Sequence, residues 1–147
     1  MRITIVAGLC IAVVACDPIG FAAIQVAPAP NASADSTAQH AFASVARIAA
    51  RRGLHGSALL AREDNLGWIE CFARSTLFIC GKLRSGEAQF QLRQFHHLGK
   101  NALDLKRELL HSLRNEFGSA QVRECKWRDE QSPDLTGCVP LRPNGFR

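Results

Sequence analysis

The chain has 147 residues, 18 Lys+Arg against 13 Asp+Glu for a net charge of +5, six Cys and no Tyr. That length suits one domain, and 47% apolar with 21% charged residues suits a globular chain rather than wholesale disorder. A multispan channel, a two-domain enzyme and a coiled-coil or collagen-like rod are excluded.

Arg2 is the first charge and Asp17 the next; residues 3–16 between them are apolar. A basic start, an apolar core of about 7–15 residues and a small-residue stop describe a secretory signal peptide. A spanning helix needs about 20 apolar residues, and this run ends at Asp17 and Pro18. At its end stand Val13, Val14, Ala15 and Cys16. This quartet resembles the lipobox of bacterial lipoproteins, whose peptidase cuts before an obligatory Cys that carries diacylglycerol. The resemblance covers only residues 1–16. It implies that residues 1–15 are removed and that Cys16 is the lipid-bearing terminus. It places the protein in the cell envelope, facing the periplasm. Asp17 directly after the Cys resembles a signal that holds some lipoproteins at the inner membrane, so inner against outer membrane stays open. The alternative is an ordinary signal peptide cut later, for instance after Ala22, giving a secreted soluble protein.

Residues 16–35 read as a tether. Pro18, Pro28 and Pro30 alternate with Ala and are followed by Asn31, Ser33 and Asp35. A flexible linker of ~20 residues spans about 25 Å root-mean-square. On this reading the folded domain occupies residues 36–147.

Ser36 and Gln39 make a capping box, starting a helix that runs to Arg52 with Phe42, Val45, Ile48 and Ala49 on one face. Arg47, Arg51 and Arg52 suit its C-terminal dipole, and Gly53 stops it. A weak strand is expected over 57–61.

Residues 66–74, 76–84 and 87–95 alternate as strands. Ser85 and Gly86 form a two-residue hairpin turn. That register pairs Leu83 with Ala88, Gly81 with Phe90 and Ile79 with Leu92. A turn at Ser75 and Thr76, or a four-residue loop over 74–77, pairs Phe72 with Ile79, Trp68 with Leu83 and Cys71 with Cys80. The turn chemistry at Ser75 and Thr76 is poor, because neither residue favours positive φ. Glu70 is the misfit, falling on the apolar face opposite Gly81.

Asn101 caps a second helix, whose stripe is Leu105, Leu109, Leu110, Leu113 and Phe117, with Gly118 ending it. A last weak strand is expected over 120–127. The expected fold is α+β: an antiparallel sheet of about three to five strands, two helices on one face, disulfide bridges, and the other face partly solvated.

Four cysteines in a small exported domain imply a disulfide framework. The gaps between Cys71, Cys80, Cys125 and Cys138 are 8, 44 and 12 residues, unlike the paired short spacings of zinc sites. Cys71–Cys80 follows from the register, at a non-hydrogen-bonded pair where side chains are closest. Cys125–Cys138 follows by elimination, and the crossed pairings stay open.

No Gly-x-Ser-x-Gly elbow, His-Glu-x-x-His or Gly-rich phosphate loop is present, so the sequence offers no catalytic motif. His96 and His97 are adjacent; on a strand they point to opposite faces and do not converge on a metal. No cofactor is implied. Lys82, Arg84 and Arg93 share the sheet face that also carries Phe78, Cys80, Gln89 and Gln91. They form a basic stripe suited to an extended anionic partner, such as an envelope polymer or a lipid surface. An envelope protein is the other partner class; export argues against nucleic acid. The expected function is a membrane-tethered, non-enzymatic binding or scaffold module. The alternative is an exported enzyme with a site assembled from scattered residues.

Overall fold

The computed structural model describes residues 19–58, 67, 69–95, 98–126 and 139–140. Among them the elements run β1 (Ile19–Val26), α1 (Ala34–Arg51), β2 (His55–Gly56), β3 (Glu70–Arg74), β4 (Leu77–Arg84), β5 (Glu87–Phe95), α2 (Lys100–Phe117), β6 (Val122–Lys126) and β7 (Val139–Pro140). The strands form one antiparallel sheet in the order β2-β3-β4-β5-β1-β6-β7. The α+β class holds, and the sheet has more strands than the three to five expected.

The meander β3-β4-β5 carries the expected registers. Leu83 pairs with Ala88, Gly81 with Phe90 and Ile79 with Leu92; Phe72 pairs with Ile79 and Cys71 with Cys80. Ser85 and Gly86 turn at φ 49° and 79°, both positive as a type I′ turn requires. Ser75 also takes positive φ, at 52°, so the two-residue turn forms there despite its chemistry. The hairpin pairing on both sides outweighs a local preference of about 1–2 kcal/mol.

β1 corrects the tether reading of residues 16–35. Ile19–Val26 lies between β5 and β6, pairing Ile19 through Val26 with Phe95 through Ala88, and Ala23 through Val26 with Cys125 through Val122. Ala22, Ala23, Ile24 and Val26 are buried. The physical reason is a continuous apolar run, broken only by Gly20 and Gln25, which is how a strand covered on both faces reads. Pro18 and Pro28 bracket this strand. The folded unit thus includes residues 19–35, not only 36–147.

Both helices lie over one sheet face. The core joins Ala22, Ile24 and Val26 of β1, Ile79 of β4, and Ala88, Phe90 and Leu92 of β5 to Val45, Ile48 and Ala49 of α1 and Leu105, Leu109 and Leu113 of α2. α1 starts one turn earlier than its expected cap: Ser33 is the N-cap, accepting from the Ser36 amide at 3.4 Å. α2 starts at Lys100 rather than beyond Asn101, and its N-cap Gly99 makes no side-chain cap. Its amide instead donates to Gln94 Oε1 at 2.8 Å, docking the helix start on the end of β5.

Gly81 explains how closely α1 approaches. The Phe42 and Phe90 rings meet edge-on, 5.1 Å apart. A Cβ at Gly81 would fall 2.5 Å from Phe42 Cε1 and 2.9 Å from the Phe90 ring. The glycine therefore leaves the gap that the two rings fill. Between the helices, Glu108 accepts from Arg51 at 3.0 Å and from Arg52 at 2.5 Å.

Candidate functional site

The sheet face away from the helices collects the residues singled out in the sequence. Its strands place Cys71, Cys80, Gln91, Ala23 and Cys125 in one row across β3, β4, β5, β1 and β6. A second row holds Lys82, Gln89, Gln25 and Arg123. Phe78 and Arg93 pair on the other side of the cysteine row.

Cys71 and Cys80 are bonded to each other, with Cα atoms 4.1 Å apart, so the hairpin bridge forms where the register puts it. Both residues are buried. Cys125 is buried and also disulfide-bonded; Cys138, the partner expected for it, lies outside the described residues. So do Cys16, His96 and His97.

The basic stripe needs correction. Lys82 keeps only 7% of its surface accessible, and Arg84 and Arg93 are half-buried. All three are engaged by partners; the Arg93 guanidinium lies 3.7 Å from Cys80 Sγ. Arg84 pairs across the hairpin with Glu87, whose carboxylate accepts from the Gln25 amide. Strand alternation sorts residues by face correctly, but a polar face need not be a solvated one. Here the polar face is buried at its centre, so the three cations do not form an open, hydrated stripe.

Gln91 marks the chemistry of this face most sharply. It is fully buried, and among the described residues neither its amide nitrogen nor its amide oxygen has a hydrogen-bond partner; Gln89 Oε1 is in the same condition. A buried polar atom without a partner costs about 1–3 kcal/mol.

Glu70 lies where the register put it, opposite Gly81, and desolvation raises its carboxyl pKa above the usual range. Asp104 moves the other way: a hydrogen bond from Lys100 lowers its pKa, assisted by the positive charges of Lys100 and Arg107. Among the described residues no cluster of three or more His, Cys, Asp or Glu side chains is arranged to hold a metal ion. Among them, too, no helix is long and apolar enough to cross a membrane.

The feature that sequence reasoning missed is the position of β1 relative to Cys16. The signal was present: the apolar run resumes at Ile19, directly after Asp17 and Pro18. Comparison with known proteins finds no matching family model, no similar curated protein and no similar solved structure.

Proposed function

We propose that this chain is a lipid-anchored module of the bacterial envelope. Residues 1–15 form its signal peptide, Cys16 is the lipidated N-terminus, and the disulfide-bridged sheet domain binds or scaffolds an envelope partner without catalysing a reaction. The observation that carries the reading is the start of β1 at Ile19. Cleavage before Cys16 leaves the strand whole. Cleavage after Ala22, the alternative for a secreted protein, would remove Ile19 through Ala22 and strand the backbone of Phe95 through Leu92 on β5. Half of an eight-residue strand in the interior of the sheet would be lost. Buried backbone groups are almost always paired, so the sheet favours the lipobox cut.

The Cys71–Cys80 bridge supports an oxidising compartment, where disulfides persist. Mass analysis of the mature N-terminal peptide tests the anchor. The expected result is a peptide starting at Cys16 and heavier by diacylglycerol, with or without N-acylation. An unmodified protein starting near Ala23 overturns it. Affinity capture of the lipidated protein from detergent-solubilised envelope tests the module role. A stoichiometric envelope partner is expected, whereas turnover of a small molecule by the purified protein would replace that role with an enzymatic one.

A further inference from the structure

We infer that the end of the sheet where β1 begins is the surface that rests on the membrane, and that it docks onto anionic lipid headgroups; this depends on Cys16 being the lipidated residue, as proposed above. From Cys16 to Ile19 the chain reaches at most about 10–11 Å. The flexible tether expected from composition would have reached about 25 Å. With β1 in the sheet, the lipid holds this end of the domain at the bilayer and leaves it little freedom to swing away.

The same end gathers features that suit such a surface. Ile19 pairs with Phe95, a large apolar side chain that remains 45% exposed. The Phe95 ring meets Phe78 edge-on at 5.4 Å, and its amide donates to the Thr76 carbonyl at 3.3 Å. Beside that turn, exposed Arg74 donates to the Arg52 carbonyl at the end of α1, at 3.0 Å. α2 begins here as well, because Gly99 is fixed to Gln94. The exposed cations on these segments are Arg51, Arg52, Arg74, Lys100 and Arg107, opposed by the half-buried carboxylates of Asp104 and Glu108. Asp17 in the connecting residues adds one further negative charge. The balance stays positive.

Magnitudes link the charge to the anchor. Surface charges act over about 8 Å at physiological salt, close to the reach of the chain from Cys16 to Ile19. A basic patch at the far end of the sheet would be screened from the bilayer; this one is not. An exposed aromatic side chain at the same end of the sheet as these cations is also the composition that favours the headgroup boundary. The far end provides an internal control. Leu83 is 42% exposed and pairs with Ala88, seven residues along β5 from Phe95 and so about 23 Å away.

The test uses full-length lipidated protein in vesicles of phosphatidylethanolamine and phosphatidylglycerol. A photoreactive benzoylphenylalanine replaces either Phe95 or Leu83. An intact Cys71–Cys80 bridge verifies the fold of each variant, and the N-terminal mass is read on the same sample. The expected result is strong lipid cross-linking from position 95 and only background from position 83. Substituting phosphatidylcholine for phosphatidylglycerol should lower the position-95 yield by roughly fivefold or more, the effect of about one basic residue at an anionic surface. Equal yields from both positions, or a position-95 yield indifferent to headgroup charge, would overturn the inference. If Cys16 carries diacylglycerol in that case, the anchor stands and only the docking surface falls. An unmodified N-terminus removes both.

Discussion

Beneath the helices, Ile24, Ile79, Phe90, Leu92 and Val122 exclude water with hydrocarbon alone. On the reverse of the same strands, Cys71, Cys80, Lys82, Gln89 and Gln91 are buried too, yet they bring a disulfide, a cation and two amides. The first face is held by area: each large side chain fully buried contributes about 1.5–3 kcal/mol. The second has less hydrocarbon to bury and carries orphaned amide atoms. A covalent link across β3 and β4 compensates on that side by restricting the unfolded chain. One sheet thus serves two cores of different quality: β1 and β4 read as nearly continuous apolar runs, whereas β5 alternates, with Ala88, Phe90 and Leu92 under the helices and Gln89 and Gln91 buried on the reverse.

Substitutions on the two faces should separate these mechanisms. The largest effect belongs to the helix side. Phe90→Ala removes a ring packed against Phe42 over Gly81, and denaturant unfolding should show a loss of about 3–5 kcal/mol. A loss below about 1 kcal/mol would mean that α1 does not pack as described. On the reverse face, replacing both Cys71 and Cys80 with Ala should cost about 2.5 kcal/mol, the loop-entropy value for a nine-residue separation. Because Cys125 is disulfide-bonded as well, added reductant should lower wild-type stability by more than this amount and lower the double variant only by the share of the remaining bridge, so the difference between the two proteins should close under reduction.

Gln91 offers an effect of opposite sign. Gln91→Met keeps the volume and removes two unpaired polar atoms, so thermal or denaturant unfolding should show a gain of about 1 kcal/mol. A loss of that size would show that the amide is satisfied in solution, and the two faces would then differ less than their burial indicates.

The meander was legible because its pairing obeys arithmetic. Once Ser85 and Gly86 are recognised as a turn, every partner from Leu77 to Phe95 follows, and the disulfide follows from the next hairpin. The stripes of α1 and α2 were legible for the same reason: Val45, Ile48, Ala49, Leu105, Leu109 and Leu113 repeat at helical spacing. β1 was not, because it pairs with β5 and β6 at separations of roughly 60 to 100 residues, and no local turn announces such pairing. Its alanines, with Pro18 before it and Pro28 after it, imitate a linker. The burial of Lys82 was illegible for a different reason: alternation names a face without naming what covers it. Glu70, by contrast, was legible as a misfit before any coordinates.

The smallest predicted effect concerns that misfit. Glu70 opens β3 on the helix side, opposite a glycine that offers no hydrogen-bonding side chain. Partial burial raises its folded-state pKa, so the folded protein binds its proton more tightly than the unfolded chain does. The sign follows from linkage: the stability associated with protonated Glu70 is fully present below the unfolded pKa and is lost as pH rises through the folded one. At neutral pH the charged carboxylate therefore opposes folding slightly. Glu70→Gln should stabilise the protein at pH 7 by no more than about 0.5 kcal/mol, the range usual for substitutions near the surface. The advantage should shrink as pH falls below the usual carboxylate range. Measured as the difference in unfolding midpoint between the two proteins, a gain that instead grows on acidification would mean that Glu70 is held charged by a partner. The helix side would then contain a polar anchor of its own, and the contrast between the two faces would narrow at this edge.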